Sequence, residues 1–220
     1  MALSKRLAAV ASAVRHGSLV ADIGTDHAYL PVYLVQNGIA PAAIAADIAA
    51  GPAAAARRTV QTANLTDKIE VRLGDGLSPL APEDAEDMII AGMGGETIAA
   101  ILSAADWIKH TRYQLVLQPM SRVEMLHAYL LTNGFHITRE WTVEEDGHLY
   151  VVLTAVYTDT LPNHDPVAHI RGGFDAESGK AYFDQVCKTL SRRAAGVEHT
   201  DPATAATLRE WIHRICEETT

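Results

Sequence analysis

The sequence predicts an α/β fold of the doubly wound kind: a mostly parallel sheet, closed by an antiparallel strand hairpin and followed by a small C-terminal helical domain. Three observations predict it. Short apolar runs alternate with helical patterns through the first 156 residues, as in a parallel sheet covered on both faces. The last two strand-like runs are separated only by Glu144-Glu145-Asp146-Gly147, a hairpin signal. Beyond Thr158 two apolar stripes recur at helical spacing.

Each element has its own warrant. Leu3, Leu7, Val10 and Val14 lie at helical spacing, so residues 3–15 read as a helix closed by Gly17. Basic Lys5 and Arg6 precede an apolar run from Leu7, but that run is too short and too periodic for a signal peptide. Residues 18–23 form an apolar strand ending at Gly24. A short helix over 29–37 carries Pro31 in its first turn, where a missing N–H costs least, and Gly38 at its end. A strand over 42–48, an alanine-rich helix over 52–64 and a strand over 69–73 follow, the last running into Gly74-Asp75-Gly76. Next come a strand over 87–91, a glycine turn at Gly92-Met93-Gly94-Gly95 and a helix over 96–103. A strand over 114–117 ends at Gln118-Pro119, and a helix over 123–133 is capped by Gly134. The hairpin strands span 136–143 and 148–157. A parallel sheet ended by such a hairpin is the methyltransferase variety of the doubly wound fold.

Two domains are expected, 1–158 and 159–220, with a linker at Leu161 to Pro166. In the second, Tyr182, Phe183, Val186, Cys187 and Leu190 mark one helix, and Leu208, Trp211, Ile212, Ile215 and Cys216 mark another. Residues 196–202 turn the chain between them, giving a coiled-coil hairpin.

Composition narrows the function. No apolar run is long enough to span a membrane. Histidines are scattered without ligand spacing, so no metal is expected. Two cysteines, Cys187 and Cys216, read as buried thiols of a cytoplasmic protein. The formal charge of −9 argues against a nucleic-acid partner, but the charge is polarised. Lys5, Arg6 and Arg15 precede the first acid, Asp22, whereas residues 75–106 hold seven acids and no base. A basic face therefore remains available.

The chemistry concentrates after the strands, where open parallel sheets bind ligands. Gly24 lets the backbone approach a ligand, but Asp22 and Asp26 flank it and would repel a diphosphate. A cofactor with a cationic centre and no phosphate suits this turn, and S-adenosylmethionine is one; the plain alternative for Asp26 is a helix cap. Asp47, ending the second strand, is placed to accept from ribose hydroxyls, or to cap the helix before Pro52. Gly74-Asp75-Gly76 offers a carboxylate to an adenine amino group, against a simple Asp-Gly turn. The three glycines around Met93 make a wall that a flat ring can approach, and the amide of Gln118, beside Pro119, is a candidate reader of a base edge.

In order and spacing, residues 21–31 (ADIGTDHAYLP), Gly74-Asp75-Gly76-Leu77, Ala91-Gly92-Met93-Gly94-Gly95 and Leu117-Gln118-Pro119 resemble the bacterial tRNA (adenine-22-N1)-methyltransferase family. So do Asn133-Gly134-Phe135, Glu145-Asp146-Gly147 and Tyr150. The likeness covers residues 1 to about 156, and the helical segment resembles that family's C-terminal coiled-coil domain in position and kind, but not in diagnostic residues. Met120 departs from it, standing where a polar residue, commonly Asn, is usual. The resemblance implies a Rossmann-like class I methyltransferase that moves a methyl group from S-adenosylmethionine to N1 of an adenine in tRNA. It implies cofactor contacts from Asp22, Gly24, Thr25, Asp47, Ile48, Gly74, Asp75, Gly76, Gly92 and Met93. Catalytic roles fall to Asp26 and His27, and target-base contacts to Tyr29, Gly94, Gly95, Gln118 and Pro119.

Adenine N1 carries an in-plane lone pair, so the site's work is alignment and desolvation more than deprotonation. Asp26 is then an orienting and electrostatic group first and a general base second. Extruding the base costs a few kcal/mol, which an aromatic platform partly offsets; Tyr29 is that platform or a core residue. Phosphate contacts are expected from Lys5, Arg6, Arg15, Arg57, Arg58, Arg122, Arg192 and Arg193, in a complex of monomeric protein with tRNA. Three rivals stand beside this reading: a methyltransferase of small molecules or proteins, a NAD-dependent oxidoreductase, and a non-catalytic RNA-binding module. The missing glycine triplet after the first strand and the terminal hairpin oppose the oxidoreductase.

Overall fold

The computed structural model describes residues 2–217. One seven-stranded sheet organises them, in the order β3-β2-β1-β4-β5-β7-β6. Its strands are β1 (Val20–Ile23), β2 (Ala43–Asp47), β3 (Ile69–Leu73), β4 (Asp87–Gly94), β5 (Gln114–Ser121), β6 (Phe135–Glu145) and β7 (His148–Tyr157). The first five pair in parallel, while β7 runs antiparallel to both β5 and β6. Strand order reverses at β1 and β4, so their carboxyl ends open the crevice where ligands bind in such sheets.

Both sheet faces are covered, which is why the strands read as unbroken apolar runs. Met88 and Ile90 of β4 point to one layer and Ile89 to the other, and Leu115, Leu117 and Val116 of β5 divide the same way. The layer around Ile89 and Val116 holds α1 (Lys5–Ser12), α2 (Tyr29–Gln36) and α3 (Ala50–Thr62). The opposite layer holds α4 (Gly95–Ser103) and α5 (Val123–Thr132), with a 3₁₀ turn at Asp106–Ile108. Ser4 caps α1 by accepting from the Leu7 amide.

Two loops differ from the sequence expectation. The segment 92–94 is not a turn: β4 continues through it with shifted register, because β5 also runs on and offers Pro119 and Ser121 as partners. The hairpin turn is shorter than four residues. Asp146 (φ 50°) and Gly147 (φ 73°) alone connect β6 to β7, the two-residue turn whose twist suits paired strands.

The C-terminal segment comprises α6 (Pro166–Arg171), α7 (Lys180–Val197) and α8 (Pro202–Glu217). The expected linker is irregular through residue 165, and α6, which the sequence reading did not include, begins at its end; Asp165 caps it, accepting from the Val167 amide at 3.1 Å. Its Val167 and Ile170 join Tyr182, Phe183 and Ile215 in the same apolar cluster as Leu126 and Leu130 of α5. Beneath them lies a buried ion pair. His127 on α5 meets the Glu140 carboxylate on β6 at 2.6 Å through Nε2, and its Nδ1 faces the His169 carbonyl of α6 at 2.9 Å. Both side chains are fully buried. Burial opposes charging the imidazole, but Glu140 and the His169 carbonyl outweigh it and raise the His127 pKa. The other Glu140 oxygen accepts from the Gly173 amide at 2.7 Å.

The cysteines are not buried thiols. Cys216 is exposed and Cys187 half-buried, with sulfurs 4.0 Å apart between α7 and α8. Burial, with Cys216 adding to it, pushes the Cys187 thiol up to about 11. Among the described residues no helix is long and apolar enough to cross a membrane, and no group of three or more His, Cys, Asp or Glu is placed to hold a metal.

Candidate active site

Two motifs far apart in sequence meet at the crevice. Gly24 leaves β1 with φ +76°, and a Cβ there would overlap the methyl of Met93. The backbone of the first loop is thus overlaid by a side chain of the bulged end of β4, and no other residue type permits that approach without strain. Asp22, one turn of pleat earlier, is buried beside Thr25. Its carboxyl is pushed up to about 6, chiefly by burial; the Thr25 hydroxyl lowers it and the nearby Asp47 raises it further. Asp22 is therefore a buried acid next to a second acid, without a cation among its described neighbours. Such a pair fits a ligand that brings positive charge.

Asp47 ends β2 half-exposed. One of its oxygens accepts from the Ala49 amide at 2.7 Å, which holds the loop and leaves the other oxygen available. The residue before α3 is Ala49, without a side-chain cap, so Asp47 is not the helix cap. Ile48 projects beyond it, 66% exposed. Asp75 and Gly76 line a cavity of about 410 Å³ with Leu77, Ser78, Thr97 and Trp107, while Gly74 packs on Pro79.

Asp26 is not a cap either. Helix α2 is preceded by Ala28 in left-handed geometry with no side-chain hydrogen bond. The Asp26 side chain is 81% exposed, and its nearest partner is the His27 imidazole at 3.6 Å. His27 in turn stacks on Tyr29, ring centroids 5.1 Å apart and 12° from parallel. Tyr29 is exposed rather than a core residue.

Gln118 requires a correction. It is completely buried, and its amide is engaged throughout: Oε1 accepts from the Gly92 amide at 3.1 Å and from Arg6 Nη1 at 2.6 Å, and Nε2 donates to the Pro119 carbonyl at 2.9 Å. No edge remains for a base. Its work is to fix the glycine bulge and the leading helix together. Pro119 is also buried, and Met120 beside it is exposed. Gly94 faces the Ser121 hydroxyl, and Gly95 lies against the Arg122 backbone so closely that a side chain would collide with it. Gly95 therefore serves helix packing, whereas exposed Gly92 remains on the crevice wall.

The basic residues divide. Arg15 sits at the amino end of β4, across the sheet from the crevice. Its Nε donates to buried Asp87 at 2.7 Å, its Nη2 to the carbonyls of Glu86 and Arg112 at 3.0 Å, and its amide to Asp87 at 2.8 Å. It is a structural ion pair rather than a phosphate contact. Burial raises the Asp87 pKa even so, with Arg15 working against it. Arg15→Ala is expected to lower unfolding free energy by about 3 kcal/mol, because it strands a buried carboxylate. Denaturant titration checks this, and a stability within 0.5 kcal/mol of wild type would contradict it. Arg6 is half-buried between Gln118 and the Tyr150 ring, 5.8 Å from its centroid. Arg57 donates to the Val71 carbonyl, and Arg122 pairs with Glu96 at 3.1 Å. Lys5, Arg58, Arg192 and Arg193 are exposed.

A family profile described as a methyltransferase domain matches residues 3–153. Among curated proteins, the chain is similar to the tRNA (adenine(22)-N(1))-methyltransferase of Bacillus subtilis (strain 168). The two are 40% identical over 185 residues, which is 82% of this chain and 78% of that protein. The crystal structure of the B. subtilis m1A22 tRNA methyltransferase superposes with TM-score 0.88 at 31% identity, covering 100% of this chain and 99% of that one. A Streptococcus pneumoniae structure in complex with S-adenosyl-L-methionine superposes with TM-score 0.84 at 32% identity, covering 100% of both chains.

Proposed function

The chain belongs to the tRNA (adenine(22)-N(1))-methyltransferase family, and we infer that it works as its family does, methylating N1 of adenine 22 in tRNA at the expense of S-adenosylmethionine. The observation that carries this most directly is the buried Asp22 at the crevice, with no cation paired to it among the described residues and next to the Gly24–Met93 approach. When bound, S-adenosylmethionine supplies an electrophilic methyl group on a sulfonium. The chain's own residues do the rest.

Asp22 and Thr25 hold positive charge at the floor of the crevice, and Gly24, Gly92 and Met93 form its wall. The free oxygen of Asp47 takes ribose hydroxyls, Ile48 covers a ring face, and Asp75 with Gly74 and Gly76 borders the adenine end. Asp26 stands exposed at the mouth, where it orients the exocyclic amine of the target base. It also stabilises the positive charge that develops on the ring as N1 is alkylated. Its second capacity is to accept the proton that this cationic base can lose. His27 steadies Asp26, with Tyr29 stacked behind it. The unit that does this is residues 1–158; residues 159–220 form the helical unit, whose exposed Arg192 and Arg193 join Lys5 and Arg58 in holding tRNA. The protein acts as a monomer in the cytoplasm.

Incubation with unmodified tRNA and labelled cofactor, followed by nuclease digestion and mapping, tests the assignment. Label at N1 of adenine 22 is expected. Labelling of small molecules or proteins with tRNA untouched would replace it with the alternative substrate class.

A further inference from the structure

A groove of about 570 Å³ runs down between α2 and α3, starting at the crevice mouth. Its upper end is the stacked pair of His27 and Tyr29. Below them come Val32 and Gln36 from α2, and Arg58, Thr59 and Thr62 from α3. Its chemistry is unusual for this chain. The protein carries 27 acids against 18 Lys and Arg, yet no carboxylate lines the groove and one guanidinium does. The hydroxyls of Thr59 and Thr62 donate to helix carbonyls of Ala55 and Arg58, which leaves their oxygens turned into acceptors. Arg58 is exposed and makes no side-chain hydrogen bond or ion pair with the described residues, unlike Arg57 beside it, which bonds to Val71. An aromatic platform, a cation and hydrogen-bonding groups along one furrow are what a single-stranded nucleotide needs.

We propose that this groove binds the nucleotide adjoining the target adenosine, its base on the His27–Tyr29 rings and its phosphate on Arg58. The inference rests on the tRNA reading above and deepens it. A base drawn into the crevice pulls its neighbour out of the helical stack. The groove begins at the residues that border the crevice, so it receives that neighbour without a change in the fold. Tyr29 thereby becomes a platform for the flanking base rather than for the target.

Two substitutions of equal charge test it. Arg58→Gln removes the groove's cation, and Lys68→Gln removes one from an exposed position just before β3, outside the groove. Arg58→Gln is expected to raise the KM for tRNA about tenfold, as loss of one charge-assisted contact does. It should also lower the slope of log affinity against log salt by about one. S-adenosylmethionine affinity and kcat at saturating tRNA should hold, and Arg58→Lys should recover most of the loss. Lys68→Gln should leave KM within about twofold, the range of a solvated surface charge. Tyr29→Leu should raise KM roughly tenfold on normal tRNA, and much less on tRNA made abasic at the flanking position. Equal KM and salt slope for Arg58→Gln and wild type would overturn the groove while leaving the tRNA assignment standing. Failure of the wild type to methylate any tRNA would remove both.

Discussion

Replacing Asp26 with alanine should cut turnover on tRNA by at least about 100-fold, the scale of losing one group poised on a developing charge or proton. S-Adenosylmethionine affinity should barely move. The expectation follows from exposure and partners together. Asp26 is 81% exposed, does not cap α2 and among the described residues pairs with His27 at 3.6 Å, so its carboxylate is little committed within the fold. Nor should stability fall, since no interior contact is lost. Single-turnover kinetics on transcribed tRNA and calorimetric titration with cofactor separate the two effects. Weakened cofactor binding with unchanged single-turnover rate would move Asp26 to the cofactor's side of the crevice. Asp26→Asn divides its two capacities: an orienting role survives partly in the amide, whereas proton acceptance does not.

Asp22 should give the opposite pattern. Its pKa is pushed from 3.8 to about 6. Between those values the folded chain binds more protons than the unfolded chain, so stability falls as pH rises through that window. Above about pH 6 the ionised carboxylate costs the fold about 3 kcal/mol. Asp22→Asn should therefore raise the melting temperature of the cofactor-free protein at pH 7 by several degrees. The same change should weaken S-adenosylmethionine about 10- to 100-fold, because a charge-assisted contact is lost. In the wild type, cofactor affinity should decline as pH drops below about 6, since binding of a cation needs the carboxylate ionised; in Asp22→Asn it should be flat. Calorimetry from pH 5 to 8 and thermal melts provide both readings. A variant that is less stable and binds cofactor normally would make Asp22 a structural acid.

Much of the fold was legible because a parallel sheet buried on both faces writes itself as unbroken apolar runs. Asp146-Gly147 likewise carries its hairpin locally. The crevice was legible through Gly24 and its flanking acids, since a backbone approach needs glycine whatever the tertiary context. What escaped was set by partners distant in sequence. Arg15 reads as a surface cation until β4 brings Asp87 beneath it, and Gln118 reads as a polar strand end until the Gly92 amide and Arg6 close around it. The continuation of β4 depends on β5 running equally far. Helix α6 spans six residues with two buried apolar positions, too few to show periodicity.

The ion pair under α6 has a consequence for how this chain can change over generations. His127 and Glu140 belong to the sheet-bearing part, yet they are completed by the His169 carbonyl and the Gly173 amide of the helical part. A grafted or replaced C-terminal segment would leave two buried charges short of partners unless it reproduced that backbone path. The helical unit is thus inherited with its seat, and exposed positions such as Arg192 and Arg193 are where it is free to diversify.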